Sequence, residues 1–250
     1  MNEQAVYQRP DSLTEKSTHY CPGCGHGIVH RLIAEIVDEM DLREKTVGVA
    51  PVGCSVVAYY YLKFDMSEAA HGRAPAVATG IKRAHPEFNV FAYQGDGDLA
   101  SIGLAEVMHA ANRGEGFTII FINNTIYGMT GGQLAPTTLV GQKTTTSPGG
   151  RDAETMGHPM KMCEILNTLD NPYYIERTAI DTPVNIRKTR KALQKAFQYQ
   201  AEGKGFTFVE ILSHCPVHWK MDARKSMAHI TDVVSKVFPV SVFRDKGDSK

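Results

Sequence analysis

Apolar residues recur along the chain in two spacings that alternate between helices and strands. Between positions 28 and 40 they fall at 28, 29, 32, 33, 36, 37 and 40, the stripe of an amphipathic helix. Continuous apolar runs over 117–122 and 206–212 are instead typical of strands buried on both faces of a parallel sheet. By the same criteria we predict further strands over 46–50, 89–93 and 173–179, and further helices over 74–84, 102–112, 160–169 and 183–202.

Strands that alternate with helices predict an α/β fold. The expected architecture is a single domain over 1–250, with a mostly parallel sheet and helices on both of its faces. Thr182 is the expected N-cap of the helix that begins with Pro183.

Two segments match neither spacing. From 128 to 159 the chain is rich in Thr, Gly and Pro, and a long irregular stretch inside a compact domain is usually a functional or partner-contacting loop. The polar end of the chain predicts a flexible tail over 239–250.

Composition excludes several classes of function. Lys+Arg and Asp+Glu both number 27, so the chain lacks the basic excess expected of a protein that binds nucleic acid or an acidic membrane. No apolar run approaches the ~18 residues that span a bilayer, and the first residues have no signal-peptide pattern. We therefore expect a cytoplasmic protein, in whose reducing compartment clustered cysteines more often bind metal than form disulfides.

Acidic and amide side chains follow two of the predicted strands. Asp96 lies between Gly95 and Gly97, and Asn123-Asn124 comes after the next strand along the chain. If the two strands are neighbours, these groups converge at the carboxyl edge of the sheet, where Mg²⁺ with its oxygen ligands and a diphosphate would bind. Gly-Asp-Gly by itself indicates a plain turn with a solvated Asp equally well.

The cysteines form a second candidate site. Four of the five lie outside the predicted helices and strands, namely Cys21, Cys24, Cys54 and Cys215, whereas Cys163 falls in an apolar helical pattern typical of a core thiol. Four thiols suit a [4Fe–4S] cluster. Zinc bound with the help of His26 is the alternative, although zinc sites usually combine two short Cys spacings.

Together these motifs resemble the β subunit of the 2-oxoacid:ferredoxin oxidoreductases over roughly residues 18–220. The resemblance rests on six short segments: Cys-Pro-Gly-Cys-Gly at 21–25, Gly-Cys-Ser at 53–55, His-Gly-Arg at 71–73, Ala-Thr-Gly-Ile-Lys at 78–82, Gly-Asp-Gly-Asp at 95–98 and Thr-Gly-Gly-Gln at 130–133.

The resemblance implies the cofactors and their ligands. Thiamine diphosphate would be held through Mg²⁺ on Asp96, Asn124 and the Ile126 carbonyl, and the [4Fe–4S] cluster by Cys21, Cys24, Cys54 and Cys215. The positions that match cofactor contacts are Val52, Gly53, Cys54, Ser55, His71, Gly95, Asp96, Gly97, Asp98, Asn124, Ile126, Gly128 and Met129. Val57 and Met129 match positions near the acyl pocket.

The implied activity is oxidative decarboxylation of a 2-oxo acid to acyl-CoA and CO₂, with reduction of ferredoxin, in anaerobic metabolism. Because the candidate acyl pocket is apolar, we expect 2-oxoisovalerate or another branched-chain acid, with pyruvate or 2-oxoglutarate as the alternatives. Of these, 2-oxoglutarate is disfavoured, because its second carboxylate would be buried without a partner. Expected partners are an α subunit, which would supply the Glu that activates thiamine, and further γ and ferredoxin-like δ subunits.

Two other interpretations remain open from the residues alone. One is a non-redox thiamine-dependent decarboxylase or carboligase with structural zinc, and the other is an electron-relay subunit without thiamine. Chemical analysis distinguishes the three. Iron with acid-labile sulfide supports the oxidoreductase, zinc supports the non-redox enzyme, and a complex without thiamine supports the electron-relay subunit.

Overall fold

The computed structural model describes residues 8–247. Seven strands form one sheet: β1 (Thr46–Ala50), β2 (Asp65–Glu68), β3 (Asn89–Gly95), β4 (Thr118–Asn123), β5 (Tyr174–Ala179), β6 (Thr207–Leu212) and β7 (Ser241–Asp245). Their order is β2-β1-β3-β4-β6-β5-β7, and every pairing is parallel except that of β5 with β7. The predicted α/β class with a mostly parallel sheet is confirmed.

The helices connect these strands. They are α1 (His26–Glu39), α2 (Ala74–Ala84), α3 (Leu104–Arg113), α4 (Ala153–Met156), α5 (Met162–Leu166), α6 (Pro183–Ala201), α7 (Pro216–Trp219), α8 (Ala223–His229) and α9 (Ser235–Val237). A π-helical turn over Asp98–Ile102 precedes α3. Thr182 caps α6 by accepting a hydrogen bond from the Asn185 N–H at 3.2 Å, as predicted.

The core has one hydrophobic layer on each face of the sheet. Alternate residues of β3 illustrate the division: Val90 and Ala92 pack with α2, α3 and α5, whereas Phe91 and Tyr93 pack with α1 and α6. Because both faces are covered, the central strands are buried along their length. Polar groups that function must therefore lie at the strand ends.

Three parts of the chain differ from the predictions. β2 was not predicted because its sequence, Asp-Met-Ser-Glu, is polar and lies at an edge of the sheet. The tail expected over 239–250 is not flexible throughout, since Ser241–Asp245 pairs with β5 as an antiparallel edge strand; the last three residues lie outside the described residues. The helix predicted over 160–169 is limited to five residues.

The long segment predicted over 128–159 is mostly irregular, with α4 near its end. It is nevertheless held together, because the buried Arg151 side chain donates hydrogen bonds to the carbonyls of Pro136 at 2.9 Å and Thr138 at 2.7 Å. This loop therefore packs as a defined part of the domain and covers the carboxyl ends of the central strands.

Candidate cofactor and metal site

Asp96 and Asn124 lie at neighbouring positions on the carboxyl edge of the sheet. Asp96 follows β3 and Asn124 follows β4, and these two parallel strands pair with Gly95 opposite Ile122. Both side chains are buried. We call Asp96, Asn124 and the Thr137 side chain beside them the acidic edge.

The Asp96 carboxylate is buried and hydrogen-bonded within this chain. It accepts from the Gly97 N–H at 2.9 Å and from the Thr137 hydroxyl, on the long loop, at 2.6 Å. Burial raises the pKa of this carboxyl to about 6, although the two hydrogen bonds act in the opposite direction. A desolvated carboxylate at a strand end is a typical cation ligand.

The turn after β4 has an unusual backbone. Thr125 has φ of 61°, a left-handed conformation that is rare for a β-branched residue. Its N–H donates to Asn123 Oδ1 at 3.2 Å, and its carbonyl accepts from the Thr138 hydroxyl at 2.6 Å. This turn places Asn124 and Ile126, the two other predicted Mg²⁺ ligands, on either side of Thr125.

Asp98 connects the loops around the site. Its carboxylate accepts from the Gly72 N–H at 2.9 Å and from Gln94 Nε2 at 2.6 Å, and it lies 2.5 Å from His71 Nδ1. The Val52 N–H is a more distant donor at 3.4 Å. Asp98 thus positions the loop after β1 and the loop before α2 beside the acidic edge.

These residues line a cleft of about 100 Å³. It is bordered by every residue predicted to contact the cofactor: Val52, Gly53, Cys54, Ser55, His71, Gly95, Asp96, Gly97, Asp98, Asn124, Ile126, Gly128 and Met129. Val57, predicted for the acyl pocket, does not line it, because it lies further along the loop at the start of a 3₁₀ turn. The cleft is smaller than the ~300 Å³ usual for a ligand pocket.

A larger cavity, of about 750 Å³, lies between the long loop and the C-terminal helices. None of the predicted site residues lines it, and Trp219 and Leu139 form part of its wall. Size alone is therefore a poor guide to the candidate site in this chain, and the convergence of polar groups at the smaller cleft is the better one.

The two glycines beside Asp96 have different surroundings. At Gly95 an added Cβ would meet no atom within 4 Å, whereas at Gly97 it would lie 2.0 Å from the Tyr127 ring. Tyr127 also donates its hydroxyl to the Gly97 carbonyl at 3.0 Å. Gly97 thus makes room for Tyr127, and only Gly95 leaves open space of the kind expected for a diphosphate.

We call Cys21, Cys24, Cys54 and Cys215 the cysteine region, and two of its thiols lie beside Gly128. A Cβ at Gly128 would lie 3.0 Å from Cys54 Sγ and 3.8 Å from Cys215 Sγ. Burial, with smaller contributions from the neighbouring thiols, raises the pKa of both thiols to about 12. Gly128, which also lines the cleft, is the wall that this region shares with the acidic edge.

The fifth cysteine lies elsewhere. Cys163 is fully buried on α5 in the hydrophobic layer beside β6, where burial and then Glu210 raise its pKa. Within residues 8–247, no three His, Cys, Asp or Glu side chains are placed around one point as a single metal ion requires.

Two aromatic residues of the site had no signal in the sequence, and the sequence marked His26 only as a possible zinc ligand. His26 lines the cleft, and its Nδ1 lies 2.7 Å from the Tyr93 hydroxyl. Burial lowers its pKa to about 4, so its imidazole is neutral at physiological pH. Tyr20 stacks on His26 with ring centroids 5.0 Å apart.

The fold and the site define a thiamine-binding class of domain. Residues 51–211 match the family described as "Thiamine pyrophosphate enzyme, C-terminal TPP binding domain". That match spans the acidic edge and β6. No helix among residues 8–247 has the length and apolar character needed to cross a membrane.

Curated relatives narrow this class. Ketoisovalerate oxidoreductase subunit VorA is 50% identical in Methanothermobacter marburgensis and 51% identical in Methanothermobacter thermautotrophicus, over 96% of this chain in both cases. The chain spans about half of these two relatives, 52% and 50% of their lengths. 2-Oxoglutarate synthase subunit KorB of Methanocaldococcus jannaschii is 37% identical over 88% of this chain and 76% of its own length.

A solved structure agrees with these relatives. The 2-oxoglutarate:ferredoxin oxidoreductase from Magnetococcus marinus, with 2-oxoglutarate, coenzyme A and succinyl-CoA bound, has a TM-score of 0.75 and 25% identity, covering 100% of this chain and 88% of that one. The chain belongs to the thiamine-binding subunits of the 2-oxoacid:ferredoxin oxidoreductase family.

Proposed function

We propose that this chain binds thiamine diphosphate through Mg²⁺ and one [4Fe–4S] cluster as a subunit of a 2-oxoacid:ferredoxin oxidoreductase. With its partners, it would convert a 2-oxo acid and coenzyme A to acyl-CoA and CO₂ and pass the electrons to ferredoxin. The observation that carries this proposal is Gly128, which lines the cleft of the buried carboxylate and amide and also lies beside the Cys54 and Cys215 thiols.

The donor set at the acidic edge suits Mg²⁺ and a diphosphate. Asp96 offers a carboxylate oxygen, Asn124 an amide oxygen and Ile126 a backbone carbonyl, all of them hard ligands. Phosphate oxygens would complete the coordination, and the open space at Gly95 lets a diphosphate approach the backbone. Thiamine diphosphate, when bound, supplies the electron sink for decarboxylation.

The donor set of the cysteine region suits an iron–sulfur cluster. The four thiols come from three separate segments of the chain, and in a cubane cluster each thiolate binds a different iron. Burial keeps the Cys54 and Cys215 thiols protonated at neutral pH when no metal is bound, so binding the cluster releases protons. Its place beside the cleft allows electrons to leave the site by a short path.

Other residues of the chain would orient the cofactor. Asp98 fixes the loops that carry Val52 and His71, and the hydroxyl of Thr137 holds one oxygen of Asp96 so that the other can face a metal. The neutral His26 ring, fixed by Tyr93, forms part of the wall of the cleft.

For the substrate we favour 2-oxoisovalerate or another branched-chain 2-oxo acid. Met129 lines the cleft and is 53% exposed, so it can contact an acyl group. The described residues that line the cleft include no Lys or Arg to pair with the second carboxylate of 2-oxoglutarate. The ketoisovalerate subunits are also more similar to this chain than the 2-oxoglutarate subunit of Methanocaldococcus jannaschii.

Partner subunits would complete the site. A cleft of about 100 Å³ holds only part of a cofactor, so another chain must form the opposite wall. We assign to an α subunit the Glu that activates thiamine, and to γ and ferredoxin-like δ subunits further electron transfer and contacts with coenzyme A. All five cysteines are free, which suits a reducing cytoplasm.

The catalytic assay tests the proposal. The complex, purified without oxygen, is given a panel of 2-oxo acids with and without coenzyme A, and ferredoxin reduction is followed. We expect reduction that requires coenzyme A, with kcat/KM for 2-oxoisovalerate roughly tenfold or more above that for 2-oxoglutarate. A preference for 2-oxoglutarate would overturn the substrate, and 2-oxo-acid turnover without electron transfer would overturn the enzyme class.

A further inference from the structure

A fully buried ion pair lies behind the turn that follows β4. Arg177 on β5 and Glu210 on β6 are directly opposite each other in the sheet, both are 0% exposed, and Arg177 Nε lies 2.9 Å from Glu210 Oε2. Two charges at the centre of a sheet are costly to desolvate, and apolar residues of similar size often replace such a pair without loss of stability. The pair therefore calls for an explanation beyond stability.

The other carboxylate oxygen of Glu210 accepts a hydrogen bond from the end of β4. Glu210 Oε1 accepts a hydrogen bond from Asn123 Nδ2 at 2.8 Å. Asn123 is the last residue of β4 and the neighbour of Asn124 at the acidic edge. Glu210 thus connects the buried pair with the residue that begins the turn.

The contact with Glu210 determines which way the Asn123 amide faces. A carboxylate only accepts hydrogen bonds, so the amide must present its NH₂ to Glu210 and its oxygen to the other side. On that side Asn123 Oδ1 accepts from the Thr125 N–H at 3.2 Å. The charge on Glu210 thereby holds Thr125 in its left-handed conformation, which a β-branched residue adopts only when its surroundings enforce it.

Arg177 in turn fixes Glu210. The guanidinium group also donates to Glu164 Oε1 at 3.0 Å and to the Pro239 carbonyl at 3.2 Å, and it lies over the rings of Phe238 and Phe243. The Pro239 carbonyl and the two rings on its outer side keep the guanidinium facing Glu210 and so fix the orientation of that carboxylate.

We propose that Arg177, Glu210 and Asn123 are positioning residues that set the Asn124–Ile126 turn for Mg²⁺ and diphosphate. The proposal rests on the proposed function. It also explains why charged residues interrupt two otherwise buried strands, and why the first Asn of Asn123-Asn124 is an amide although it is not among the predicted metal ligands.

The chain carries a built-in reporter of this turn. Trp219 is its single tryptophan, and the indole N–H donates to the Asn124 carbonyl at 3.1 Å. The fluorescence emission of Trp219 should therefore report the geometry of the turn without ligand. The same emission can be followed while thiamine diphosphate and MgCl₂ are added.

Two matched variants separate positioning from simple stabilisation. Glu210→Gln keeps the size of the side chain, but its amide can present NH₂ to Asn123 and release the turn. Glu164→Gln removes a charge from the same guanidinium at the outer end, where the carboxylate is 36% exposed, and leaves the Glu210–Asn123 contact intact. Asn123→Ala keeps the ion pair and removes only the link to Thr125.

We expect Glu210→Gln and Asn123→Ala each to raise the apparent Kd for thiamine diphosphate about tenfold or more and to shift the Trp219 emission of the empty chain. The double variant should have a Kd no higher than that of the single variant with the higher Kd, because both changes break the same chain of hydrogen bonds from Glu210 through Asn123 to Thr125. Glu164→Gln should keep Kd within about twofold even if it lowers Tm. If Glu210→Gln fails to fold, Asn123→Ala decides the question.

Wild-type affinity in Glu210→Gln or Asn123→Ala, or equal weakening by Glu164→Gln, would overturn the positioning role. These outcomes leave the proposed function standing, since the wild-type chain still binds. A wild-type chain that shows no saturable response to thiamine diphosphate, alone or with its partner subunits, overturns both proposals.

Discussion

At the acidic edge, the candidate ligands are held by the strands they follow and by hydrogen bonds within the chain. Asp96 and Asn124 end neighbouring strands, and Thr137 and Gly97 donate to the Asp96 carboxylate. The cysteine region is built differently. Its thiols come from the loop before α1, the loop after β1 and the residue just before α7, and the folding of these segments brings them near one another.

The difference concerns what each region requires from its ligand. The acidic edge is preorganised, so Mg²⁺ and a diphosphate would bind to a geometry that the sheet already provides. In the cysteine region, burial and then the neighbouring thiols raise the pKa of Cys54 and Cys215, so a cluster would have to displace their protons as it brings the four thiols together. Loss of a ligand should therefore act locally at the acidic edge and collectively at the cysteines.

The largest expected effect is that of Asp96→Ala at the acidic edge. Removing a direct Mg²⁺ ligand should weaken retention of thiamine diphosphate by more than about 100-fold, beyond the effect of most outer-shell changes. Thiamine diphosphate content of the purified complex measures it. Because the loss is local, iron and sulfide should stay at wild-type amounts, and full retention of thiamine diphosphate would refute the assignment of Asp96.

Cys215→Ala and Cys163→Ala should differ sharply. Without the Cys215 thiolate the cluster has three protein ligands, so we expect loss of the visible iron–sulfur absorption and of ferredoxin reduction. Cys163 packs as a small hydrophobe in the core, so Cys163→Ala should keep both and lower stability by only ~1 kcal/mol. Absorption spectra and thermal unfolding measure the two effects, and the reverse pattern would assign the fourth ligand to Cys163.

Gly128→Ala tests the wall between the two regions. The added Cβ would lie 3.0 Å from Cys54 Sγ, which must move by a few tenths of an ångström. We expect the cluster to lose iron severalfold faster in air, with a smaller fall in thiamine diphosphate affinity. Gly149→Ala is the matched control, since a Cβ there meets nothing within 4 Å. Equal behaviour of the two variants would show that Gly128 is not a shared wall.

The smallest expected effect is that of Thr137→Val. It removes the hydroxyl that donates to Asp96 at 2.6 Å and leaves the shape of the side chain nearly unchanged. Losing one such hydrogen bond amounts to about 1 kcal/mol, or roughly a fivefold higher Kd for thiamine diphosphate by titration. An effect as large as that of Asp96→Ala would mean that the loop, rather than the strand end, organises the acidic edge.

The sequence predicted that Asp96 and Asn124 lie close together because both residues follow strong local signals. Strand β1 and helix α2 match their predicted bounds, and Asp96 and Asn124 follow apolar strands whose pairing is a property of the fold class. Edge strands gave no such signal. β2 is polar, and β7 pairs through its backbone with only part of its surface buried.

What the sequence could not show depends on tertiary contacts. Thr137 is one of several threonines in an irregular loop, and nothing local marks it as the partner of Asp96. Glu210 stands in an apolar strand, and its pairing with Arg177 follows from the register of β5 and β6. The contact of Gly97 with Tyr127 likewise depends on the folding of a distant turn. The sequence therefore indicated a cofactor contact for Gly97 but not its packing against Tyr127.

The central claim is that one chain holds a thiamine site and an iron–sulfur site that adjoin each other at Gly128. The most direct measurement is the content of thiamine diphosphate, iron, acid-labile sulfide and zinc in the native complex purified without oxygen. Comparing the Cys215→Ala complex with the wild type shows how much of the iron and sulfide belongs to this chain. For this chain we predict about one thiamine diphosphate, four iron and four sulfide. Zinc in place of iron, or a complex without thiamine diphosphate, would contradict the account.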